Sequence, residues 1–397
     1  MKLYKFQEEA YKRFFDNECQ YYFAFDTGMG KTLTALNIAK EFKNVLIICP
    51  ASVKVVWEKE MKKFNLYPKQ QYKIVSYDFF REHYKKILEE VFWHLIIFDE
   101  AHKLKNPSAK ITRICMHIFP RAYKIMLSAT PFEKLNDFYS QLKILTHKHP
   151  FHDLNFKLYK ESFFLLDFWG KITKFRSEEI KERFYEKYVY PYVWFLKRDD
   201  VIELPEIIED EIELTGSSYY QQLEPKASTM SNALSWFIFS YHQESLLKAK
   251  IDFVIEFLEN NPKTIVFSLY KTPLKIVKKR LKEECYFITG DNKRDLEKVL
   301  LEGNKPVLST YCINEGVDLS HYKNVVFLSL PLAYRDYYQA YSRVYRAGQK
   351  NSVYLIKLIG SRLDRYVVKI LQQKKDVLTE LVNKNIETLQ KEINNEC

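Results

Sequence analysis

The chain's 397 residues carry a formal net charge of +11, with 47% hydrophobic and 28% charged side chains. That length suits two or three domains, and that balance buries a sizeable core and excludes a disordered polymer. No run approaches the ~18 apolar residues of a membrane span, and the N-terminal stretch is charged throughout, so a soluble intracellular protein is expected, cytoplasmic or, in a eukaryote, nuclear. None of the six cysteines forms a C-x-x-C pair, which argues against a zinc site or a disulfide framework. The positive excess suits a polyanion, with nucleic acid the commonest candidate.

The first 130 residues alternate short apolar runs with amphipathic stretches. The runs Tyr21–Phe25, Val45–Cys49, Tyr72–Val75, Leu95–Phe98 and Lys124–Leu127 read as buried parallel strands. Leu33, Leu36, Ala39 and Phe42 recur at helical spacing. The βα rhythm predicts a doubly wound α/β domain.

Between the first strand and the first such helix lies Asp26-Thr27-Gly28-Met29-Gly30-Lys31-Thr32. Glycines let backbone N–H groups turn toward an anion, and a helix N-terminus adds partial positive charge. Lys31 reaches outer phosphates, and the Thr32 hydroxyl ligates Mg2+. Phe25 stands where such loops usually place a small residue. The strand Leu95–Phe98 runs into Asp99-Glu100-Ala101-His102. Carboxylates at a strand's C-terminal end face the cleft above a sheet. Asp99 can hold magnesium through water, and Glu100 can polarise an attacking water.

Residues 151–196 are crowded with aromatics among Lys and Arg and read as a helical insertion. The rings serve either a core or a platform for stacked bases. His147, His149 and His152 lie close enough to raise the question of a metal, but Asp153 is their one acidic neighbour, and a surface loop is the better reading.

A second strand series follows: Thr264–Leu269, Tyr286–Ile288, Val307–Ser309, Val325–Leu330 and Val353–Leu358. Between its last two runs stands Gln339-Ala-Tyr-Ser-Arg343-Val-Tyr-Arg346-Ala-Gly-Gln349. Its two arginines, three apart, fall on one face of a helix. From there they reach a γ-phosphate bound by the first half, where an arginine finger is worth ~10³–10⁵ in rate. A loose apolar stripe from Leu363 to Leu381 predicts a C-terminal helix.

In this order and spacing the three motifs resemble those of superfamily-two helicases. The sequence Asp99-Glu-Ala-His102 followed by Lys103-Leu-Lys-Asn106 is similar to the Swi/Snf family of DNA translocases. Leu3-Tyr-Lys-Phe-Gln7, Cys49-Pro-Ala-Ser52 with Trp57 and Glu60, Ser128-Ala-Thr130-Pro131, Lys197-Arg198 with Gln221-Gln222, and Arg346-Ala-Gly-Gln349 agree with it. The likeness covers roughly residues 1–360. Motif III departs from the family in having Ala129 rather than glycine, and motif V, Glu315-Gly316-Val317-Asp318-Leu319, is nearer to general helicases.

The resemblance implies two RecA-like parallel-sheet domains in tandem with a helical insertion. The first lobe spans 1–150, the insertion 151–196, a return to the first lobe and the inter-lobe linker 197–245, the second lobe 246–362 and a C-terminal helix 363–397. It implies ATP bound by Gln7, Thr27, Gly28, Met29, Gly30, Lys31, Thr32, Gly316 and Asp318, with Mg2+ at Thr32 and Asp99. Lys31, Asp99, Glu100, Arg343 and Arg346 are the implied catalytic set. His102, Ser128, Thr130 and Gln339 would couple ATP state to the track. Pro50, Ser52, Lys54, Ser76, Tyr77, Ser268, Lys271, Ser309 and Thr310 would line the nucleic-acid path, reading no base sequence.

The expected function is a nucleic-acid-stimulated ATPase translocating on duplex or branched DNA. The alternatives are a strand-separating DNA or RNA helicase, or a nucleic-acid-binding scaffold with a vestigial ATPase. Partners are DNA and other replication or repair proteins; no histone-reading domain is expected.

Overall fold

In the computed structural model the described residues are 3–201 (except 70, 119–120 and 147–148), 203–214 and 244–375 (except 283, 293–294, 296–297, 300–302, 314–317, 347, 361–363 and 374). The chain divides into two compact units that part at Val201.

The first unit runs α1 (Lys5–Asp16), β1 (Gln20–Phe25), α2 (Lys31–Ala39), β2 (Asn44–Cys49), α3 (Lys54–Phe64), β3 (Gln71–Ser76), α4 (Tyr77–Glu90), β4 (Leu95–Asp99), α5 (Lys110–His117), β5 (Tyr123–Leu127), α6 (Asp137–Leu145), α7 (Phe156–Phe163), β6 (Phe164–Leu166), β7 (Ile172–Phe175), α8 (Glu178–Tyr188) and β8 (Val193–Leu196). Six strands form one parallel sheet in the order β3-β2-β4-β5-β1-β8.

Strand side chains alternate between faces, so this sheet has two cores. Phe23, Phe25, Ile47, Ile97 and Ile125 meet Phe14 of α1, Leu36 of α2 and Trp57 of α3 on one side. Tyr22, Ile48, Phe98 and Met126 meet Phe80, Leu142, Phe151, Tyr159 and Phe184 on the other. Burial on both faces explains why these strands read as unbroken apolar runs. It also accounts for many of the aromatics in 151–196: Phe151, Tyr159, Phe164, Phe184 and Tyr185 are core, while Phe168 and Trp169 are exposed.

Two features correct the expected helical insertion. Its end, Val193-Trp-Phe-Leu196, is strand β8, paired with β1 from Tyr22↔Val193 to Phe25↔Leu196. Its middle is the antiparallel hairpin β6–β7. Four apolar residues at the end of an aromatic-rich segment show no period that separates strand from helix.

The second unit comprises β9 (Ile207–Glu213), α9 (Glu244–Asn260), β10 (Thr264–Ser268), α10 (Lys271–Arg280), β11 (Tyr286–Ile288), β12 (Val307–Thr310), β13 (Asn324–Phe327), α11 (Tyr334–Tyr341), β14 (Val353–Ile359) and a final helix over residues 364–373. Its parallel sheet has the order β11-β12-β10-β13-β14-β9. Val266, Leu308, Val326 and Ile356 pack under Ile251 and Val254 of α9 and Leu274 and Val277 of α10.

Here too one expectation is corrected. Residues 207–213 were read as part of a return to the first lobe, yet β9 pairs with β14 along its whole length, from Val353↔Ile207 to Ile359↔Glu213. Lys357 and Lys375 both reach the Glu209 carboxylate, at 2.8 and 2.9 Å. Burial pushes the Glu209 pKa upward, but these two ammonium groups outweigh it and hold it below the usual carboxylate range. Acidic residues on an edge strand also discourage pairing with foreign strands. The inter-lobe linker over 215–243, including Gln221-Gln222, and the C-terminal stretch from 376 lie outside the described residues.

Candidate active site

Three adjacent strands, β4, β5 and β1, bring their carboxyl ends to one edge of the first sheet. Each carries one of the first-half motifs into the crevice where α/β sheets bind ligands.

The β1–α2 turn takes left-handed backbone at Gly28 (φ 80°) and Gly30 (φ 70°). The left-handed backbone favours glycine at position 30, and a Cβ there would lie 2.7 Å from Gln7 Nε2 and push that amide aside. Gln7, on α1, is buried, and its Nε2 donates long bonds, 3.5 Å each, to the carbonyls of Met29 and Gly30. Its Oε1 accepts from Tyr4 N at 3.1 Å. Lys31 opens α2, and its Nζ donates to Phe25 O at 2.9 Å and Asp26 O at 3.0 Å. The large Phe25 is accommodated because it is fully buried, edge-on to Phe6 and Trp194. Arg198 N donates to Asp26 Oδ2 at 3.0 Å, tying the residue after β8 to this loop. Thr32 lies half-buried on the first turn of α2.

Asp99 ends β4. Its Oδ2 accepts from Trp57 Nε1 at 2.8 Å, its Oδ1 from Glu100 N at 3.0 Å, and its carbonyl from Tyr77 OH at 2.9 Å. Glu100 sits at φ 52°, an uncommon conformation for a side-chain-bearing residue. His102 Nδ1 lies 3.1 Å from both Glu100 Oε2 and Ser128 Oγ. Ser128, just past β5, accepts from Thr130 N at 3.2 Å. Glu100, His102, Ser128 and Thr130 therefore form one buried line of contacts joining the two motifs.

Sequence reasoning missed the supports of this line. Gln141 of α6 donates to Pro131 O at 2.8 Å and accepts from Tyr22 OH at 2.8 Å. Ser140 Oγ donates to the carbonyls of Leu104 and Lys105. Lys105 reaches Glu133 at 2.8 Å. The placement of Gln141 and Ser140 one after the other on an amphipathic helix gives no signal of this in sequence. Trp57 was noted only as part of a motif.

In the second unit, helix α11 ends at Tyr341, and Arg343 and Arg346 lie in the turn that follows. The expected single helical face is thus corrected. The Gln349 side chain holds the turn, with Nε2 donating to Ser320 O, Tyr322 O and Val344 O and Oε1 accepting from Lys350 N and Asn351 N. Leu319 N donates to Arg343 O at 2.9 Å, and Arg346 Nε lies 3.6 Å from Asp318 Oδ2. Asp318, Arg343 and Arg346 are therefore brought together, with Gln339 buried on α11. Gly316 lies outside the described residues.

Of the expected nucleic-acid residues, Ser52 is exposed, Pro50 caps a short 3₁₀ turn, Lys54 opens α3, and Ser76 caps α4 by accepting from Phe79 N. Lys271 is exposed beside Asp291 at 2.8 Å, and Thr310 is half-buried. Three are corrected. Tyr77, Ser268 and Ser309 are buried, with their hydroxyls bonded to Asp99 O, Ser329 Oγ and Thr310 O, so these hydroxyls are turned into the protein. His149 is buried as well: Nε2 contacts Tyr188 O, Nδ1 accepts from Phe151 N, and burial lowers its pKa to about 4. Among the described residues no cluster of His, Cys, Asp and Glu could hold a metal, and no helix is long and apolar enough to cross a membrane.

Two parallel sheets in tandem, with a glycine-lysine loop and a carboxylate pair at strand ends along one edge of the first, define an ATPase of the helicase class. Residues 61–164 match the SNF2-related domain and residues 249–348 the helicase conserved C-terminal domain. The chain is a Swi/Snf-like member of helicase superfamily two. It is similar to the SWI/SNF-related matrix-associated actin-dependent regulator of chromatin subfamily A-like protein 1 homolog of Caenorhabditis elegans, at 24% identity over 95% of this chain and 61% of that protein. It is also similar to the protein of that name in Drosophila melanogaster, at 24% identity over 90% of this chain and 53% of that one. It thus spans little more than half the length of these relatives. A solved structure, the Sulfolobus solfataricus SWI2/SNF2 ATPase core in complex with dsDNA, aligns at TM-score 0.46 and 21% identity, covering 97% of this chain and 93% of that one.

Proposed function

We propose that this chain is a nucleic-acid-stimulated ATPase that couples ATP turnover to movement along DNA, duplex or branched, without reading base sequence. The observation that carries this reading is the buried line Glu100–His102–Ser128–Thr130. A scaffold with a vestigial ATPase has no use for a carboxylate wired to a second motif.

The residues fit a triphosphate with a hard divalent cation. Thr27 Oγ1 is buried with no hydrogen-bond partner among the described residues, at the loop where a phosphate oxygen would accept from it. Hydroxyl and carboxylate oxygens such as those of Thr32 and Asp99 are the donors magnesium prefers, and the bound ion would neutralise phosphate charge. Lys31 exchanges its two loop carbonyls for phosphate oxygens. Trp57 holds the Asp99 carboxylate in one orientation. Glu100 polarises water for attack, and its tie to His102 passes the state of that carboxylate to the Ser128–Thr130 turn. Arg343 and Arg346 supply positive charge to the transferring phosphoryl group.

The net charge of +11 supports a polyanionic track, whose grip weakens with salt. DNA is favoured over RNA by the likeness to proteins named as regulators of chromatin. The test is ATP turnover measured with single-stranded DNA, duplex DNA, forked DNA and RNA. Stimulation by duplex or fork is expected; turnover indifferent to all four would reject the reading.

A further inference from the structure

The β6–β7 hairpin carries the most exposed large hydrophobic side chains among the described residues of the first unit, Phe168 at 94% and Trp169 at 78%. Their rings stand in contact edge to face at 5.3 Å. Exposing two such rings is unfavourable in water, and nothing in the catalytic chemistry requires it.

The tip is held rigidly. Asp167 Oδ1 accepts from Trp169 N at 2.9 Å and Lys171 N at 2.8 Å. Gly170 takes φ 68°, and its carbonyl accepts from Lys160 Nζ at 2.7 Å. Thr173 Oγ1 donates across the strands to Leu165 O at 2.9 Å. At the root, Phe164 is buried against Phe175 and Phe184, with centroids at 4.9 and 5.8 Å. The root roots the pin in the core, so the exposed rings are not the frayed end of a loop.

Lys171 shares the turn with the rings, and Lys174 and Arg176 follow down the second strand toward the root, all three exposed, while Asp167 spends one carboxylate oxygen on its own turn. Beside the hairpin's base a cleft of about 640 Å³ is walled by Leu165, Lys174 and Arg176 on one side and by Phe132, Lys134 and Asn136 on the other. The last three follow directly on the Ser128–Pro131 turn.

We propose that the Phe168–Trp169 tip is a stacking site for unpaired nucleobases, with Lys171, Lys174 and Arg176 meeting the flanking phosphates. The inference deepens the nucleic-acid reading above and rests on it. Ring faces take any base, and cations beside them supply the phosphate contacts, the combination used in sequence-tolerant single-strand binding. A lipid surface is disfavoured, since two rings on one turn bury little apolar area and lasting membrane attachment needs a second anchor. The tip would let a duplex-tracking enzyme tell a fork or gap from continuous duplex.

The test uses the full chain without ATP, comparing wild type with Trp169→Phe and Phe168→Ala/Trp169→Ala. Tryptophan fluorescence is titrated with a short single-stranded oligonucleotide, with blunt duplex and with anionic phospholipid vesicles. Wild type should be quenched by the single strand, and Trp169→Phe should lose most of that quench yet still bind. The double variant should bind the single strand roughly tenfold more weakly while its duplex affinity holds. Equal single-strand affinity in wild type and double variant, a quench that survives Trp169→Phe, no oligonucleotide binding at all, or a blue shift on vesicles without oligonucleotide quench would each overturn the assignment. If the tip binds oligonucleotide while no nucleic acid raises ATP turnover, the motor reading falls and the tip stands. If duplex raises turnover but the double variant binds as wild type, the tip falls and the motor stands.

Discussion

The two units offer the same kind of crevice, at the carboxyl ends of a six-stranded parallel sheet, and fill it differently. In the first, the β1–α2 turn has two glycines in left-handed backbone and a lysine whose ammonium sits on the loop's own carbonyls. In the second, the corresponding β10–α10 turn has no glycine. Its Leu269 N donates to Ser329 Oγ and its Tyr270 N to Ser268 Oγ, at 2.7 and 3.2 Å. Its lysine, Lys271, faces the Asp291 carboxylate. Hydroxyls of the second unit thus consume the amides that the first leaves for an anion. The frame supplies a mouth, and the residues at the turn decide whether it takes phosphate.

Lys31→Ala breaks this contrast most severely. ATP turnover should fall by about 10³-fold or more, since a charge aimed at the transition state is lost. Salt-sensitive DNA binding should persist, which filter binding checks. Arg346→Ala tests the second unit's share: turnover should drop by roughly 10³-fold or more while ATP affinity changes little. An unchanged rate would remove Arg346 from the site.

Stability separates the units further. In the second, Lys250 Nζ meets Asp364 Oδ2 at 2.9 Å with both side chains buried, and Asp364 also accepts from Gly360 N. Asp364→Ala removes the carboxylate from that buried ammonium and should cost about 3–5 kcal/mol in urea unfolding. In the first, Lys124 on β5 is fully buried, its Nζ has no hydrogen-bond partner among the described residues, and burial lowers its pKa to about 8 from 10.5. Below about pH 8 both folded and unfolded states hold the proton, so the whole penalty of about 3 kcal/mol applies. Between about 8 and 10.5 the unfolded state binds more protons, and stability rises with pH. Lys124→Met should therefore stabilise the first unit by about 2–3 kcal/mol at neutral pH, a gain that shrinks as pH rises through that window.

What the sequence made legible divides along the same physical line. All five strands of each predicted series exist, because burial on both sheet faces writes itself as an apolar run. β8 and β9 escaped notice for opposite reasons. Val193–Leu196 is too short and too close to other aromatics, and Ile207–Glu213 is too acidic to look like a strand until Lys357 and Lys375 stand beside it. Lys31, Asp99, Glu100, Arg343 and Arg346 could be proposed from sequence because the chemistry expected of them depends on local spacing. Gln141, Ser140 and the Trp57–Asp99 bond were not, because each acts across the fold. Tyr77, Ser268 and Ser309 looked like path residues from their hydroxyls, and burial turned those hydroxyls inward.

The central claim is that hydrolysis and track sensing meet through Ser128. The direct measurement is ATP turnover of Ser128→Ala beside wild type, each without nucleic acid and with saturating duplex or forked DNA. Basal turnover kept within about fivefold while most of the stimulation disappears is the expected result, since a single hydrogen bond to the linking histidine contributes only about 1 kcal/mol on its own. Stimulation that survives intact would show that the Glu100–His102–Ser128–Thr130 line carries no signal.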